Sequence, residues 1–178
     1  MGTAIQTTRK DHRIAALAAL AITIHIAEAA LPSPIPGMKP GFANLITIIA
    51  LMQFGWSTAA WVSMLRVLGG SLLIGTFLSP TFLMSLTGAI ASISVLWLAI
   101  RLTRTGLGHF GPIGYSVLAA MAHTAGQFSV AYWLFIPHPG MLRLLPILLS
   151  LALLFGLING IISCMIIKQL GVQTDQGT

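Results

Sequence analysis

Charged residues are so sparse along this chain that they leave long uncharged, mostly apolar stretches at 14–27, 40–65, 67–100, 105–142 and 144–167. A helix that crosses a bilayer needs about 20 mostly apolar residues. The stretches 40–65 and 67–100 are too long for one crossing and must be divided at turn signals. The first breaks near Gly55-Trp56-Ser57. The second breaks from Gly75-Thr76 to Ser79-Pro80, where Ser-Pro favours a helix start. The pattern therefore predicts six helices, at roughly 14–31, 41–54, 56–74, 80–102, 111–135 and 142–169. The second is short, and is either tilted or partly buried by its neighbours.

Composition agrees: 56% of the residues are hydrophobic and 7% are charged, whereas an ordinary soluble domain is about 25% charged. A single cysteine, Cys164, rules out a disulfide scaffold, and abundant Leu, Ile and Ala rule out a disordered chain. Nine scattered Lys and Arg make no basic face, so nucleic acid is not an expected partner. The net charge of +6 reads instead as loops facing an anionic cytoplasmic leaflet. With six spans and the N-terminus inside, Arg9, Lys10, Arg13, Arg101, Arg104 and Lys168 are cytoplasmic, Lys39 and Arg143 external, and Arg66 intramembrane. Merging the second and third helices equalises the two sides and erases the orientation signal. The expectation is thus an all-α integral membrane protein of the inner (cytoplasmic) membrane, with both ends inside. It divides into a cytoplasmic segment 1–13, a six-helix domain 14–169 and a disordered polar tail 170–178. Everything downstream of the first helix is also membrane-spanning, so that helix reads as retained rather than as a cleaved signal peptide.

Ionisable groups in a bilayer cost a few kcal/mol each and persist where they face a bundle interior. Here they are His25 and Glu28 on helix 1, Arg66 on helix 3 and His123 on helix 5, with the amides Asn44, Gln53, Gln127 and Asn159. In the six-span orientation most of these fall in the outer half with Arg66 as the floor; Gln53 and Asn159 lie deeper, toward the cytoplasm. That is the layout of a pocket open to the outside. The proline-rich connection Leu31–Gly41 brings Lys39 to the start of helix 2, where free N–H groups and the dipole favour an anion. Thr76 and Ser79 offer hydroxyls before helix 4, and Tyr132, Trp133 and Phe135 offer flat apolar surface near the outer end of helix 5.

Each feature also has a purely structural reading. Glu28 and Arg66 can form an internal ion pair, His123 can bond a backbone carbonyl, and Thr76 and Ser79 can cap helix 4. The aromatic residues can be interfacial anchors. His25-x-x-Glu28 has metal-ligand spacing but no third ligand, so no metal is expected. Gly156-x-x-x-Gly160 and Ala15-x-x-x-Ala19 mark close helix approach, within one chain or toward a membrane partner.

Catalytic chemistry is missing. Asp11, Glu28 and Asp175 are the only acids, so no carboxylate pair exists for acid–base work or for holding Mg²⁺. No phosphate-binding loop, G-x-S-x-G elbow or Cys/His cluster is present. The chain is not expected to be an enzyme.

Three segments in order resemble one family. They are Glu28 followed by Pro-Ser-Pro-Ile-Pro-Gly-Met-Lys-Pro-Gly-Phe-Ala-Asn44; Leu65-Arg66 followed by Gly-Thr-Phe-Leu-Ser-Pro80 and Ser85-Leu-Thr-Gly88; and Ala122-His123-Thr-Ala-Gly-Gln127. The resemblance, over about 14–168, is to the Gx transporter family, often labelled heptaprenyl diphosphate synthase component I. Pro40 departs from it, standing where an aliphatic residue is expected. The label implies a subunit of a long-chain prenyl diphosphate synthase, in an accessory role because the aspartate-rich motifs of such synthases are missing. The family also resembles the six-helix substrate-capture (S) components of energy-coupling-factor vitamin transporters, with members suspected of moving flavins.

On that resemblance the leading expectation is a transport protein binding an anionic planar solute, with a flavin (FAD, FMN or riboflavin) as the favoured cargo, and with energising or redox partner subunits. Arg66 and Lys39 would take phosphate, Asn44, His123 and Gln127 the ring or ribose, with Thr76 and Ser79 at the mouth; Glu28 would hold Arg66 or His123 in place. The rival expectation is a non-catalytic accessory subunit of a polyprenyl diphosphate synthase or a membrane redox complex. A third is binding of a polyprenyl or lipid phosphate through Arg66 and Lys39.

Overall fold

A computed structural model describes residues 8–30, 41–106 and 110–175. Among these, every regular element is helical: α1 Arg9–Ala30, α2 Ala43–Phe54, α3 Trp56–Ile74, α4 Pro80–Arg104, α5 Pro112–Val130, α6 Pro139–Leu142 and α7 Leu145–Asp175. A π-helical turn, Ala131–Phe135, prolongs α5. The sequence's turn signals are where helices end. Gly55, at φ +85° between α2 and α3, adopts a backbone that side chains resist. Ser79 accepts from the Phe82 N–H at 3.3 Å and, with Pro80 behind it, opens α4.

Two ends differ from expectation. The first helix begins at Arg9 rather than at 14, because Thr8 and Asp11 form a reciprocal cap: Thr8 N and Oγ1 donate to Asp11 Oδ2 at 2.8 and 2.7 Å, and Asp11 N donates to Thr8 Oγ1 at 3.3 Å. The last helix runs to Asp175, into the stretch 170–178 where disorder is expected. No proline stops it, and the single Gly171 costs a helix only about 1 kcal/mol.

Four helical segments are long and apolar enough to cross a membrane: Arg9–Ala29, Trp56–Ile74, Pro80–Arg104 and Pro139–Gln169. Of the six expected crossings, α2 and α5 are not among them. At 12 residues, α2 is about 18 Å long, well short of the ~30 Å hydrocarbon core; α5 carries Tyr115, Ser116, His123, Thr124 and Gln127.

The short α2 is the centre of the bundle. Leu45, Ile46, Ile48, Ile49, Ala50 and Leu51 are all buried, and the helix touches α1, α3, α5 and α7. A helix apolar all round belongs inside, and here α1, α3, α5 and α7 shield α2 from lipid. The outer helices instead present apolar side chains outward, among them Leu73 at 70% exposure, Trp133 at 75% and Met165 at 59%.

Lipid tails are as apolar as leucine, so packing rather than transfer from water holds the helices together. Glycines provide the close approaches. A Cβ on Gly160 would lie 2.7 Å from the Ile113 Cα, and one on Gly156 3.0 Å from the Val117 Cα. The Gly156-x-x-x-Gly160 face therefore packs against α5 of the same chain. A Cβ on Gly126 would come as close to α4, 2.9 Å from the Thr87 carbonyl oxygen.

Candidate functional site

The start of α2 meets the last turns of α1 inside the bundle. The Phe42 backbone N–H donates to Glu28 Oε1, so the Glu28 carboxylate takes the anion-favouring position before α2 that the sequence suggested for a bound phosphate. Glu28 is 4% exposed and Arg66, on α3, is 5% exposed. The carboxylate is near enough to act as the electrostatic counter-charge of the Arg66 guanidinium. The same acid also anchors a helix start.

Two histidines are seated on glycines. His25 packs on Gly70, one turn beyond Arg66 on α3, where a Cβ would lie 2.7 Å from its Cδ2. His123 on α5 packs with Gln127 on Gly88 of α4, where a Cβ would lie 2.9 Å from His123 Cε1 and Nδ1 and from Gln127 Cγ. Arg66 and His25 are charged or chargeable neighbours of His123. The spacing of His123 and Gln127, one turn apart, is what lets both rest on one glycine.

Asn44 is buried in the first turn of α2. Asn159 joins this region as well: its Nδ2 donates to the Gly41 carbonyl at 3.1 Å, tying α7 to the approach to α2. The sequence reading set Asn159 apart, deeper toward the cytoplasm. The correction comes from α2, whose start sits at the level of Glu28 within the bundle and so within reach of α7. The signal that could have found it is the length of α2, since a 12-residue helix whose far end is at the bundle's end must begin deep inside it.

The remaining expected residues separate from this cluster or from its chemistry. The Ser79 hydroxyl caps α4. Thr76 is half-buried in the turn before it, its N–H donating to the Ser71 carbonyl at 2.8 Å. Lys39 lies outside the described residues, as does most of the proline-rich connection. Tyr132 stacks on Phe128, with ring centroids 6.2 Å apart and planes 6° apart, while Trp133 faces outward.

One buried nitrogen in the cluster, Arg66 Nε, lacks a hydrogen-bond partner among the described residues, whereas the His123 ring lies against the Gly88 backbone and hydrogen-bonds it. An arginine Nε–H is a donor only, so what it lacks is an acceptor. Buried polar groups are seldom left so, because each costs about 1–3 kcal/mol. Among the described residues no group of three or more His, Cys, Asp or Glu is placed to hold a metal ion. The arrangement is a tightly packed, nitrogen-rich cluster with one carboxylate and an unmet need for an acceptor.

The model of the family described as heptaprenyl diphosphate synthase component I matches residues 17–166. No curated protein and no solved structure matches the chain.

Proposed function

Because the chain belongs to the heptaprenyl diphosphate synthase component I family, as its match over residues 17–166 shows, we propose that it is a non-catalytic, multi-pass membrane subunit acting with partner chains of a polyprenyl diphosphate synthase. The family description names a component, and a component has partners. The observation that carries the reading is the internal packing of the polar cluster. Glu28 is engaged by the α2 backbone, and the rings of His25 and His123 press on Gly70 and Gly88 too closely to admit a methyl group. Groups that pack against one another's backbone serve to fix a scaffold. The three acids of the whole chain, none beside another, give no means of holding Mg²⁺ and diphosphate, so the prenyl transfer chemistry belongs to a partner.

In this reading six helical segments thread the inner (cytoplasmic) membrane with both ends inside, α2 being sheltered by its neighbours. Arg9, Lys10, Arg13, Arg101, Arg104 and Lys168 then face the cytoplasm. The test is purification of the tagged chain from its host in mild detergent, followed by assay of the eluate with labelled isopentenyl diphosphate. Heptaprenyl diphosphate synthesis should elute with the chain. An eluate free of prenyl transferase activity, with unchanged product lengths in cells lacking the chain, removes the reading.

A second reading, capture and transport of a flavin nucleotide in the manner of vitamin-transporter S components, with energising or redox partners, is favoured by one observation. Arg66 Nε is buried without a partner among the described residues, and an anionic or carbonyl-bearing solute would supply one. Flavin absorbance of the purified protein that disappears in Arg66→Ala and His123→Ala supports it; a colourless protein that takes up no added flavin removes it.

A further inference from the structure

Where α1 begins and α2 meets α3, a cleft of about 430 Å³ is lined by Lys10, Arg13, Gln53, Phe54 and Thr58. None of these belongs to the Glu28–Arg66 cluster, and the volume lies within the ~300–1,000 Å³ typical of small-ligand sites. The charge of the lining has one sign. Lys10 and Arg13 are one turn apart and share a face of α1, while the acid between them, Asp11, accepts from Thr8 N and Oγ1. Glu28 lies about 22 Å further along α1, at ~1.5 Å per residue. The Arg13 guanidinium is held over the Phe54 ring, 5.3 Å from its centroid, which restrains the side chain and engages no anion. Gln53 brings an amide that can donate, and the buried Thr58 closes the inner wall.

The surroundings of the cleft are those of a membrane–water boundary. Met52, Phe54 and Trp56 are exposed at its rim. The Trp56 indole Nε1 donates to the Ile93 carbonyl at 3.2 Å. One turn further along α4 the exposed Trp97 carries the Arg101 guanidinium over its ring, 4.9 Å from the centroid. Tryptophans collect at the level of lipid headgroups, and basic residues collect on the cytoplasmic side. Two arginine–aromatic pairs and two tryptophans therefore give this end of the bundle the character of the headgroup layer, with apolar side chains directly beside the cations of the cleft. A soluble anion would use the cations and leave the apolar rim idle, whereas an anion that carries its own hydrocarbon uses both.

We infer that this cleft is a binding site for the headgroup of an anionic glycerophospholipid, of the phosphatidylglycerol type, drawn from the leaflet at that end. Lys10 and Arg13 hold the phosphodiester through charge-assisted hydrogen bonds, Gln53 donates to the glycerol and ester oxygens, and the acyl chains lie along Met52, Phe54 and Trp56. Selectivity follows from the lining: a zwitterionic headgroup brings a cation of its own to a cleft that holds two cations and no acid. The bound lipid bridges the start of α1 to the α2–α3 joint, so its binding stabilises the folded bundle by mass action. None of this rests on the synthase-subunit reading, since the cleft would hold the same lipid in a carrier.

The test uses the purified full chain in mild detergent, with native mass spectrometry comparing bound dioleoylphosphatidylglycerol and dioleoylphosphatidylcholine, which share acyl chains and differ in headgroup. The native chain should hold the anionic lipid at least about ten-fold more tightly, and K10A/R13A should lose that preference, as expected for losing hydrogen bonds between charged groups. R104A, which removes an exposed cation outside the cleft lining, should change it by no more than about two-fold. The anionic lipid should also raise the melting temperature of the native chain and not that of the double variant. Lys10 and Arg13 are both exposed, and a lipid-free melting temperature equal to the native one verifies that the double variant folds. Where it is lower, K10Q/R13Q, which keeps polar side chains and removes both charges, is read by the same measure. Equal retention of the two lipids, or a double variant that keeps the preference, overturns the proposal. So does R104A weakening it as much, which reduces the site to diffuse surface charge. Displacement of the lipid by inorganic phosphate at matched concentration overturns the lipid as ligand and leaves a soluble-phosphate site. None of these outcomes depends on copurifying prenyl transferase, so this site and the subunit reading fail separately.

Discussion

The Phe42 backbone N–H donates to the Glu28 carboxylate, which puts a buried negative charge at the start of the helix that forms the bundle's centre. The contact joins three energetic terms: it satisfies one orphan N–H of α2, it opposes the helix dipole with the favourable sign, and it supplies Arg66 with a counter-charge. Glu28→Gln keeps an acceptor for Phe42 and loses the charge. Glu28→Ala loses both. The expected order of stability is native, then Gln, then Ala, with Ala lower by about 3–5 kcal/mol because Arg66 is left buried without its charge partner. Thermal unfolding in detergent, followed by tryptophan fluorescence, checks the order; Gln and Ala variants as stable as the native chain would show that the carboxylate stabilises nothing.

The glycine contacts make a graded series. Gly160→Ala directs a methyl group to 2.7 Å from the Ile113 Cα, and backbone cannot step aside without moving α5. Gly69→Ala meets the Ile22 Cδ1, also at 2.7 Å, but that atom is the tip of a flexible side chain. We expect Gly160→Ala to cost about 1–3 kcal/mol, as overpacking does, and Gly69→Ala less than half as much. Melting temperatures of the two variants measured together decide it, and equal losses would mean that the α5–α7 approach is looser than its geometry.

Much of this fold was legible because punctuation in a membrane chain is physical. Gly55 breaks one apolar run by its backbone and Ser79-Pro80 the other by capping, so the joints of α2, α3 and α4 were readable residue by residue. The depth of α2 was not. Hydropathy registers how apolar Leu45–Leu51 is but cannot say whether lipid or protein surrounds it, and only the packing of four helices around it does. The bond from Asn159 to the approach to α2 was hidden for that reason. His123 and Gln127 were readable as one face of a helix; that the face rests on Gly88 requires the crossing of α4 and α5, which no local pattern encodes.

Asn159 anchors α7 to the centre through a hydrogen bond from Nδ2 to the Gly41 carbonyl at 3.1 Å. It is 3% exposed, so removing it strands a carbonyl in the interior. Asn159→Leu should lower stability by about 1–3 kcal/mol, whereas Asn159→Gln, which keeps an amide but adds a methylene to a tight site, should lose less. Urea-induced unfolding of the two variants orders them; a leucine variant as stable as the native chain would mean the amide is dispensable.

The last expectation separates a scaffold from a solute site at the same residues. If Arg66 is there to balance Glu28, removing both charges is better than removing one, since a lone buried charge is the costly species. The double variant Glu28→Gln/Arg66→Met should then recover most of the stability lost by Arg66→Met alone, a coupling of about 1–3 kcal/mol in a double-mutant cycle. It should also keep any copurifying prenyl transferase activity. If instead Arg66 Nε, unpartnered among the described residues, exists to meet a ligand, the double variant recovers stability but not ligand: bound flavin is lost in both variants. Stability, prenyl transferase activity and flavin absorbance measured on the same three proteins give different patterns for the two roles. A coupling near zero would contradict the ion balance that both roles assume.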